Sequence, residues 1–139
     1  MAGSLRTIDH TGDLGFEVRA DHFPEVVGLA VRGMFEILVD ASAARPVREE
    51  RIVVEESSED LQLRGVLAEL LYRYLAGGFV LATLAFVSVA PGRIEYLARG
   101  EDFDPARHSR RTELKAVTYH QLEVRRENGG WFARVIFDV

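Results

Sequence analysis

The sequence predicts an α+β fold, in which mixed or antiparallel sheets accompany two main amphipathic helices and a C-terminal β-hairpin. Two stretches repeat apolar residues at three- and four-residue steps, as amphipathic helices do. Several shorter stretches alternate apolar and polar residues or are rich in β-branched residues, as strands are. Asn128-Gly129 is a strong signal for a two-residue hairpin turn. At 139 residues the chain has the size of one domain, and we expect a single domain over residues 1–139.

Composition narrows the classes of function. The formal net charge is -5 and the isoelectric point is near 5.4, which argues against a nucleic-acid-binding surface spread over the protein. We therefore expect no direct stable nucleic-acid binding. The absence of cysteine excludes disulfides, thiolate ligands and cysteine catalysis. No apolar signal region opens the chain and no apolar run approaches the roughly 18 residues of a membrane span, so a cytoplasmic protein is expected.

The first third of the chain predicts a strand and a helix. Apolar and polar residues alternate over residues 14–19, so His10 to Asp13 enter the first strand or lie within it. Asp21 is the predicted helix cap, and Pro24 suits the first turn of that helix. The apolar stripe of the helix is Val27, Ala30, Val31, Met34, Phe35 and Leu38. A loop over Ala41 to Pro46 should follow, and then a short strand over Arg51 to Glu55.

A second helix is predicted to begin near Ser57 to Asp60, where a hydroxyl cap and acidic residues favour a helix N-terminus. Gly77-Gly78 should end it. Its apolar stripe is Leu63, Val66, Leu67, Leu70, Leu71 and Tyr74. Glu69 falls on the polar flank with Gln62 and Arg73, whereas Asp60 points into the sector of the stripe. Either Glu69 only pairs with Arg73 at i,i+4 and Asp60 only caps the helix, or both have a further role.

Two more strands and a loop follow. Phe79 to Val89 and Arg93 to Arg99 should pair around a turn at Pro91-Gly92. Glu101 to Arg111 is predicted to be a polar loop. Within this loop, the arginines at 107, 110 and 111 accompany His108 and form either a solvated surface or a local basic patch.

The final hairpin can be aligned from its turn. With Asn128-Gly129 as a type I′ turn, Glu123 lies opposite Arg134, an opposite-charge pair that supports the alignment. The same count puts Tyr119 across from Asp138.

Strand alternation extends this alignment toward the end of the chain. Lys115 shares a face with Tyr119 and so lies near the Asp138 end, while His120 points to the apolar side. A longer loop at Gly130 would slip the pairing by one residue and remove the Lys115 inference.

Two aspartates near opposite ends of the chain form the candidate site. Asp13 follows Gly12, where the backbone can turn tightly beside a ligand, and Asp138 ends the last predicted strand. If the chain is complete, Val139 adds its α-carboxylate. Such oxygen clusters favour hard divalent cations, so the expected ion is calcium, magnesium or manganese. Each aspartate taken alone is more often a cap, a turn residue or a surface charge.

Other chemistries lack their motifs. The four histidines show no zinc spacing and there is no glycine-rich phosphate loop. A Ser-His-Asp triad stays open, although no nucleophile elbow is present.

Five segments together resemble the archease family. They are His10-Thr11-Gly12-Asp13, Asp60-Leu61, Glu69-Leu70-Leu71-Tyr72, Lys115-Ala116-Val117-Thr118-Tyr119-His120 and Val135-Ile136-Phe137-Asp138-Val139. The resemblance spans nearly the whole chain, and the lysine-led run is its most specific part. Gly12 replaces the alanine more usual before the aspartate, and Arg64-Gly65 stands where the family often has bulkier or acidic residues.

The resemblance implies a small α+β protein that activates an RtcB-type RNA ligase, the GTP- and manganese-dependent enzyme of tRNA splicing and RNA repair. Such a protein promotes ligase guanylylation and multiple turnover without being the ligase. The family's metal site would fall on Asp13, Asp138 and the carboxylate of Val139. The further positions expected to serve the partner are Asp60, Glu69 and Lys115.

Two other classes of function stay open. A stand-alone phosphoesterase would turn over a phosphoester with Mg²⁺ or Mn²⁺ alone. A chaperone-like or structural binding module would use the metal only to hold the two ends of the chain together.

Overall fold

The computed structural model describes residues 3–10 and 13–139, without the side chains of Asp9 and His10. This part of the chain contains two helices and ten strands, and the strands form three sheets. The elements are β1 (Ser4–His10), β2 (Asp13–Ala20), α1 (Phe23–Leu38), β3 (Val39–Asp40), β4 (Arg48–Val54), α2 (Glu59–Gly77), β5 (Phe79–Ala90), β6 (Arg93–Asp102), β7 (Ser109–Arg110), β8 (Ala116–Val117), β9 (Glu123–Glu127) and β10 (Gly130–Asp138). The predicted α+β class is confirmed.

All strand pairs are antiparallel. The five-stranded sheet has the order β1-β2-β10-β8, and β9 pairs with β10 farther along. A three-stranded sheet has the order β4-β6-β5, and β3 pairs with β7. Strand β10 is thus central in the larger sheet, while β5 lies at an edge of the smaller one.

The first strand was not predicted. His10 ends β1 and Asp13 begins β2, and the two residues are paired across a hairpin. The prediction that His10 to Asp13 enter or lie within one strand is therefore wrong in part, and its Thr11-Gly12 segment falls outside the described residues. Strand β1 is mostly exposed at the sheet edge, so it carries little of the apolar alternation that marks a half-buried strand.

Helix α1 has the predicted span but a different cap. His22, not Asp21, is the N-cap residue, and it makes no side-chain cap hydrogen bond. The helix begins at the following residue, Phe23, whose side chain is buried, and Pro24 lies in the first turn as predicted. The apolar stripe of the helix is buried as expected.

Helix α2 ends as predicted. Gly78 adopts the left-handed conformation, with φ of 69°, and its N–H donates to the carbonyls of Arg73 and Tyr74. Ser58 is the N-cap residue. Gln62, assigned to the polar flank, is buried instead, and its Nε2 donates to the carbonyl oxygen of Glu56 at 3.0 Å, which satisfies its polar group.

The core joins both helices to the sheets in one hydrophobic cluster. Phe16 of β2 and Phe137 of β10 meet edge to face at a centroid distance of 5.3 Å. Phe35 of α1 contacts Phe79 of β5 in the same way, at 6.4 Å. Neither helix, within the described part of the chain, is long and apolar enough to cross a membrane.

The predicted polar loop at Glu101 to Arg111 is more ordered and more buried than expected. Strand β6 extends through Asp102, and β7 occupies Ser109–Arg110. Glu101 and His108 are buried, with exposures of 7% and 3%. A fully solvated loop is therefore the wrong interpretation of this segment.

Glu101 is held by several donors. Both terminal nitrogens of Arg107 donate to its carboxylate, and the main-chain N–H of Arg45 donates to Oε2 at 2.6 Å. Nδ1 of His108 accepts from the N–H of Asp104 at 2.9 Å, so its Nε2 is the nitrogen that can donate to Glu101, at 3.3 Å. The cluster fastens the loop after β3 to the loop after β6.

Hydrogen bonding from Arg107, followed by the N–H of Arg45, lowers the pKa of Glu101 from 4.5 to about 2. The ionised group therefore stabilises the fold above about pH 4.5, and this contribution is lost as the pH falls toward 2. Glu101→Gln is expected to lower the stability at pH 7 and to flatten its decline between these pH values. Urea unfolding at a series of pH values measures both effects.

Exposed Glu55 provides the control for this experiment. Glu55→Gln should leave the pH profile as it is in the unmodified chain. An unchanged profile for Glu101→Gln would contradict the assigned role of the buried carboxylate.

Candidate functional site

The turn and first pairs of the C-terminal hairpin are as predicted. Gly130 pairs with Glu127, and Glu123 lies opposite Arg134. The two turn residues have φ of 48° at Asn128 and 80° at Gly129, as a type I′ turn requires. The β9–β10 ladder ends at this Glu123 pair.

Beyond Glu123 the predicted pairing is wrong. Asp138 lies opposite Ala116 in β8, not opposite Tyr119. The chain leaves the sheet between β8 and β9, where Gln121 has φ of 52° and the N–H of Leu122 donates to the carbonyl of Tyr119. These intervening residues shift the pairing.

His120 is also placed differently from the prediction. It lies in the same excursion and is exposed, rather than facing the apolar side. The strand alternation used to orient it does not continue through this turn.

The pairing that put Lys115 on the Asp138 face is not the observed one, because Ala116 is the residue opposite Asp138 and Lys115 precedes it. Lys115 nevertheless contacts Asp138 through its main chain. Its main-chain N–H donates to the carbonyl oxygen of Asp138 at 2.8 Å. Both residues are exposed. Among the described residues the ammonium group of Lys115 has no ion-pair or hydrogen-bond partner, so its charge is available to a ligand.

The β2–β10 ladder brings the two aspartates of the candidate site together. Its last pair is Leu14 with Phe137, and the next step of the same register puts Asp13 opposite Asp138. Directly opposite residues project to the same face, with Cα atoms about 4.5–5.5 Å apart. Gly15 keeps the strands close, because a Cβ there would overlap the carbonyl oxygen of Val135.

Both aspartate side chains are free to accept a ligand. Asp13 and Asp138 are exposed, and within the described residues neither carboxylate makes a hydrogen bond or an ion pair. Val139 follows Asp138 and is 43% exposed. By this register the corner of the sheet presents two carboxylates on one face, which Ala116 shares, while Lys115 lies one residue before Ala116.

The donor set fits a partial divalent-cation site. No group of three or more histidine, aspartate or glutamate side chains converges on one point within the described residues. Magnesium commonly takes one or two carboxylates and completes its shell with water or phosphate, which matches the Asp13 and Asp138 pair. Calcium takes six to eight oxygens, so it would need several further donors.

Asp60 and Glu69 are farther apart than a shared site would require. They are nine residues apart on α2, which at 1.5 Å per residue is about 13 Å along the axis. An oxygen of Asp60 accepts the N–H of Leu61 at 2.9 Å. Glu69 accepts from Arg73 at 3.0 Å, the i,i+4 pair that one interpretation of the sequence anticipated.

The sequence did not predict that Arg64 and Tyr119 are in contact. The guanidinium of Arg64 lies over the ring of Tyr119, 3.9 Å from its centroid. Nε of Arg64 donates to the carbonyl of Val117 at 3.1 Å. The four-residue spacing from Asp60 to Arg64 is the only hint that the sequence offers for this contact. That spacing does not reveal that Arg64 contacts β8.

Known structures share this fold. The solution structure of protein 1598 from Methanobacterium thermoautotrophicum is 29% identical, covers 97% of this chain and 98% of its own, and has a TM-score of 0.81. A crystal structure from Thermotoga maritima, described as an archease and possible chaperone, has a TM-score of 0.65. It is 18% identical and covers 96% of both chains. This chain is thus a small α+β protein with the same fold as these two structures.

The chain belongs to the archease family. The model of the Archease protein family (MTH1598/TM1083) matches residues 5–139. A protein archease of Methanopyrus kandleri is 34% identical over 137 residues, with 95% of this chain and 96% of the relative covered. The protein archease of Pyrococcus furiosus is 30% identical over 138 residues, covering 94% and 95%.

Proposed function

We propose that this protein activates an RtcB-type RNA ligase, promoting GTP-dependent guanylylation and multiple turnover in tRNA splicing or RNA repair. It acts through a divalent cation held by Asp13 and Asp138. In a chain that ends at Val139, the α-carboxylate would supply a third donor. Lys115 serves the same site, and Asp60 and Glu69 contact the partner.

The proposal is supported by the alignment of two aspartates that are unpaired among the described residues. The β2–β10 register, extended by one residue beyond the Leu14–Phe137 pair, brings Asp13 opposite Asp138, and Lys115 donates its main-chain N–H to the carbonyl oxygen of Asp138. Most acidic side chains on the larger sheet are instead engaged with arginines, as Glu17 is with Arg6 at 2.7 Å. Carboxylates left without such partners on one face favour a cation from outside the chain.

Membership of the archease family supports the same function, because the resemblance seen in the sequence rests on these residues. The divalent ion, when bound, would neutralise the two carboxylates and attract phosphate oxygens. Asp13 and Asp138 hold that ion at an exposed corner, where a partner can reach it. Lys115, whose main chain contacts Asp138, adds a positive charge at the same strand end.

Loss of either aspartate should separate folding from activation. Asp13→Asn and Asp138→Asn are expected to fold, because both side chains are exposed and unpaired within the described residues. Each should bind Mg²⁺ or Mn²⁺ about 10–100-fold more weakly and lose stimulation of the ligase. Calorimetry measures the binding, and guanylylation with GTP, Mn²⁺ and substoichiometric protein measures the activation.

Glu113→Gln is the matched control, since it removes an exposed carboxylate two residues before Lys115. It should activate as the unmodified chain does. Full activation by Asp138→Asn would show that the carboxylate pair is not required for activation.

Lys115 should not be replaceable by arginine. It is the only lysine among 17 basic residues, so arginine is this chain's ordinary choice for a positive charge. Lysine is a compact point charge, whereas arginine is a planar fork with different contacts. Lys115→Arg is expected to lose most activation, nearly as much as Lys115→Ala, at unchanged affinity for the ligase. Activation by Lys115→Arg equal to that of the unmodified chain would show that charge alone suffices.

A chaperone-like binding function is the second candidate, and the exposed edge strand β5 favours it. Its twelve residues, Phe79–Ala90, contain no charged side chain and no proline. Phe86, Val87 and Val89 are 45%, 50% and 49% exposed. Edge strands usually carry charges or proline that prevent pairing with other chains, so this edge can accept an extended apolar segment. The Thermotoga maritima relative is described as a possible chaperone.

Aggregation of reduced insulin, followed by light scattering, tests this second function. The unmodified chain should slow it, and Val87→Lys should not, because lysine on an edge strand opposes pairing. Val47→Lys is the control, since Val47 is 76% exposed but lies outside the strands. Equal protection by both variants, or none by the unmodified chain, would exclude the edge as a chaperone surface.

A further inference from the structure

Arg64 is held in one orientation by two contacts that do not use its terminal nitrogens. Nε donates to the carbonyl of Val117 at 3.1 Å, and the planar group stacks on Tyr119 at 3.9 Å. Its terminal nitrogens have no hydrogen-bond partner within the described residues. An arginine with its Nε engaged and its two terminal groups free is prepared for bidentate binding of an anion.

No acidic side chain in the described part of the chain balances the charge of Arg64. Among the described residues Arg64 forms no ion pair, although Asp60 lies one helical turn earlier. An oxygen of Asp60 accepts the N–H of Leu61 instead. Two of the other stacked arginines, Arg19 and Arg125, which both lie over Phe132, also pair with Glu127. Among the described residues the stacked Arg110 and Arg126 form no ion pair either.

Arg64 reaches the strand that flanks the carboxylate pair. Val117, whose carbonyl binds Arg64, is adjacent to Ala116, the residue opposite Asp138. Lys115, two residues before Val117, donates its N–H to Asp138. Two basic residues that form no ion pair within residues 3–10 and 13–139 thus contact the strand end next to Asp138, Arg64 through the Val117 carbonyl and Lys115 through its main chain.

We infer that Arg64 and Lys115 bind a phosphate group at this corner, with Tyr119 holding Arg64 in place. The inference rests on the proposed function, since the phosphate would share the cation of Asp13 and Asp138. A phosphate ester offers several oxygens, so it can bind the guanidinium fork through two of them and the ammonium group through another. Its source is a nucleoside triphosphate or the phosphorylated end of an RNA.

Binding to the purified full chain tests the inference directly. The probes are inorganic tripolyphosphate, GTP and a 3′-phosphorylated RNA oligonucleotide, each titrated calorimetrically with Mg²⁺ present. We expect Arg64→Ala to weaken tripolyphosphate binding by about tenfold or more, because charge-assisted hydrogen bonds are lost. Arg64→Lys should recover only part of the affinity, since the fork is absent.

Two controls separate phosphate binding from a structural role. Arg126→Ala removes an arginine that also stacks on an aromatic ring, 5.1 Å from the centroid of Trp131 at the opposite end of β10. It should leave phosphate affinity unchanged. Tyr119→Phe keeps the ring and should bind normally. An arginine that only fastened α2 to the sheet would alter the melting temperature without altering phosphate affinity.

The outcomes distinguish this inference from the proposed function. Tighter binding of GTP than of RNA identifies the nucleotide as the source, and the reverse identifies the RNA end; both support the phosphate site. No binding of any probe, or equal binding by Arg64→Ala, overturns it. If Asp138→Asn activates the ligase fully while Arg64→Ala loses phosphate, the proposed function fails and the phosphate site stands. The opposite pattern removes the phosphate site alone.

Discussion

The antiparallel pairing of β2 with β10 is the constraint on which the rest of the molecule depends. It joins residues 14–20 to residues 131–137 and contributes the Phe16–Phe137 contact to the core, and its register extended by one residue aligns Asp13 with Asp138. The close approach at Gly15 fixes how near the two strands can lie. Because one step along a strand reverses the direction of every side chain, this register decides whether the two carboxylates share a face.

Much of the fold could be predicted because its elements have strong local signals. Both helices bury a long apolar stripe, and α2 ends at a glycine in the left-handed conformation. The hairpin turn was identified from Asn128-Gly129. In contrast, β1 is an exposed edge strand whose own sequence does not indicate a strand. Its pairing with β2 gives it the extended conformation.

The candidate site was predicted less completely, for a physical reason. Extending the hairpin register assumed a continuous strand, but the excursion at Tyr119 to Leu122 breaks it and moves Ala116 opposite Asp138. Arg64 was missed because its partners, Val117 and Tyr119, are more than fifty residues away in the chain. Contacts of this kind leave no periodic pattern. Burial of Glu101 among distant donors escaped prediction in the same way.

The central position of β10 links the site to the order in which the chain is made. Residues 130–138 lie between β2 on one side and β8 and β9 on the other, so the larger sheet has no continuous centre without them. The ribosome synthesises this segment after the other described strands and helices. A nascent or prematurely terminated chain therefore lacks the second carboxylate and the strand that seals the core at the same time.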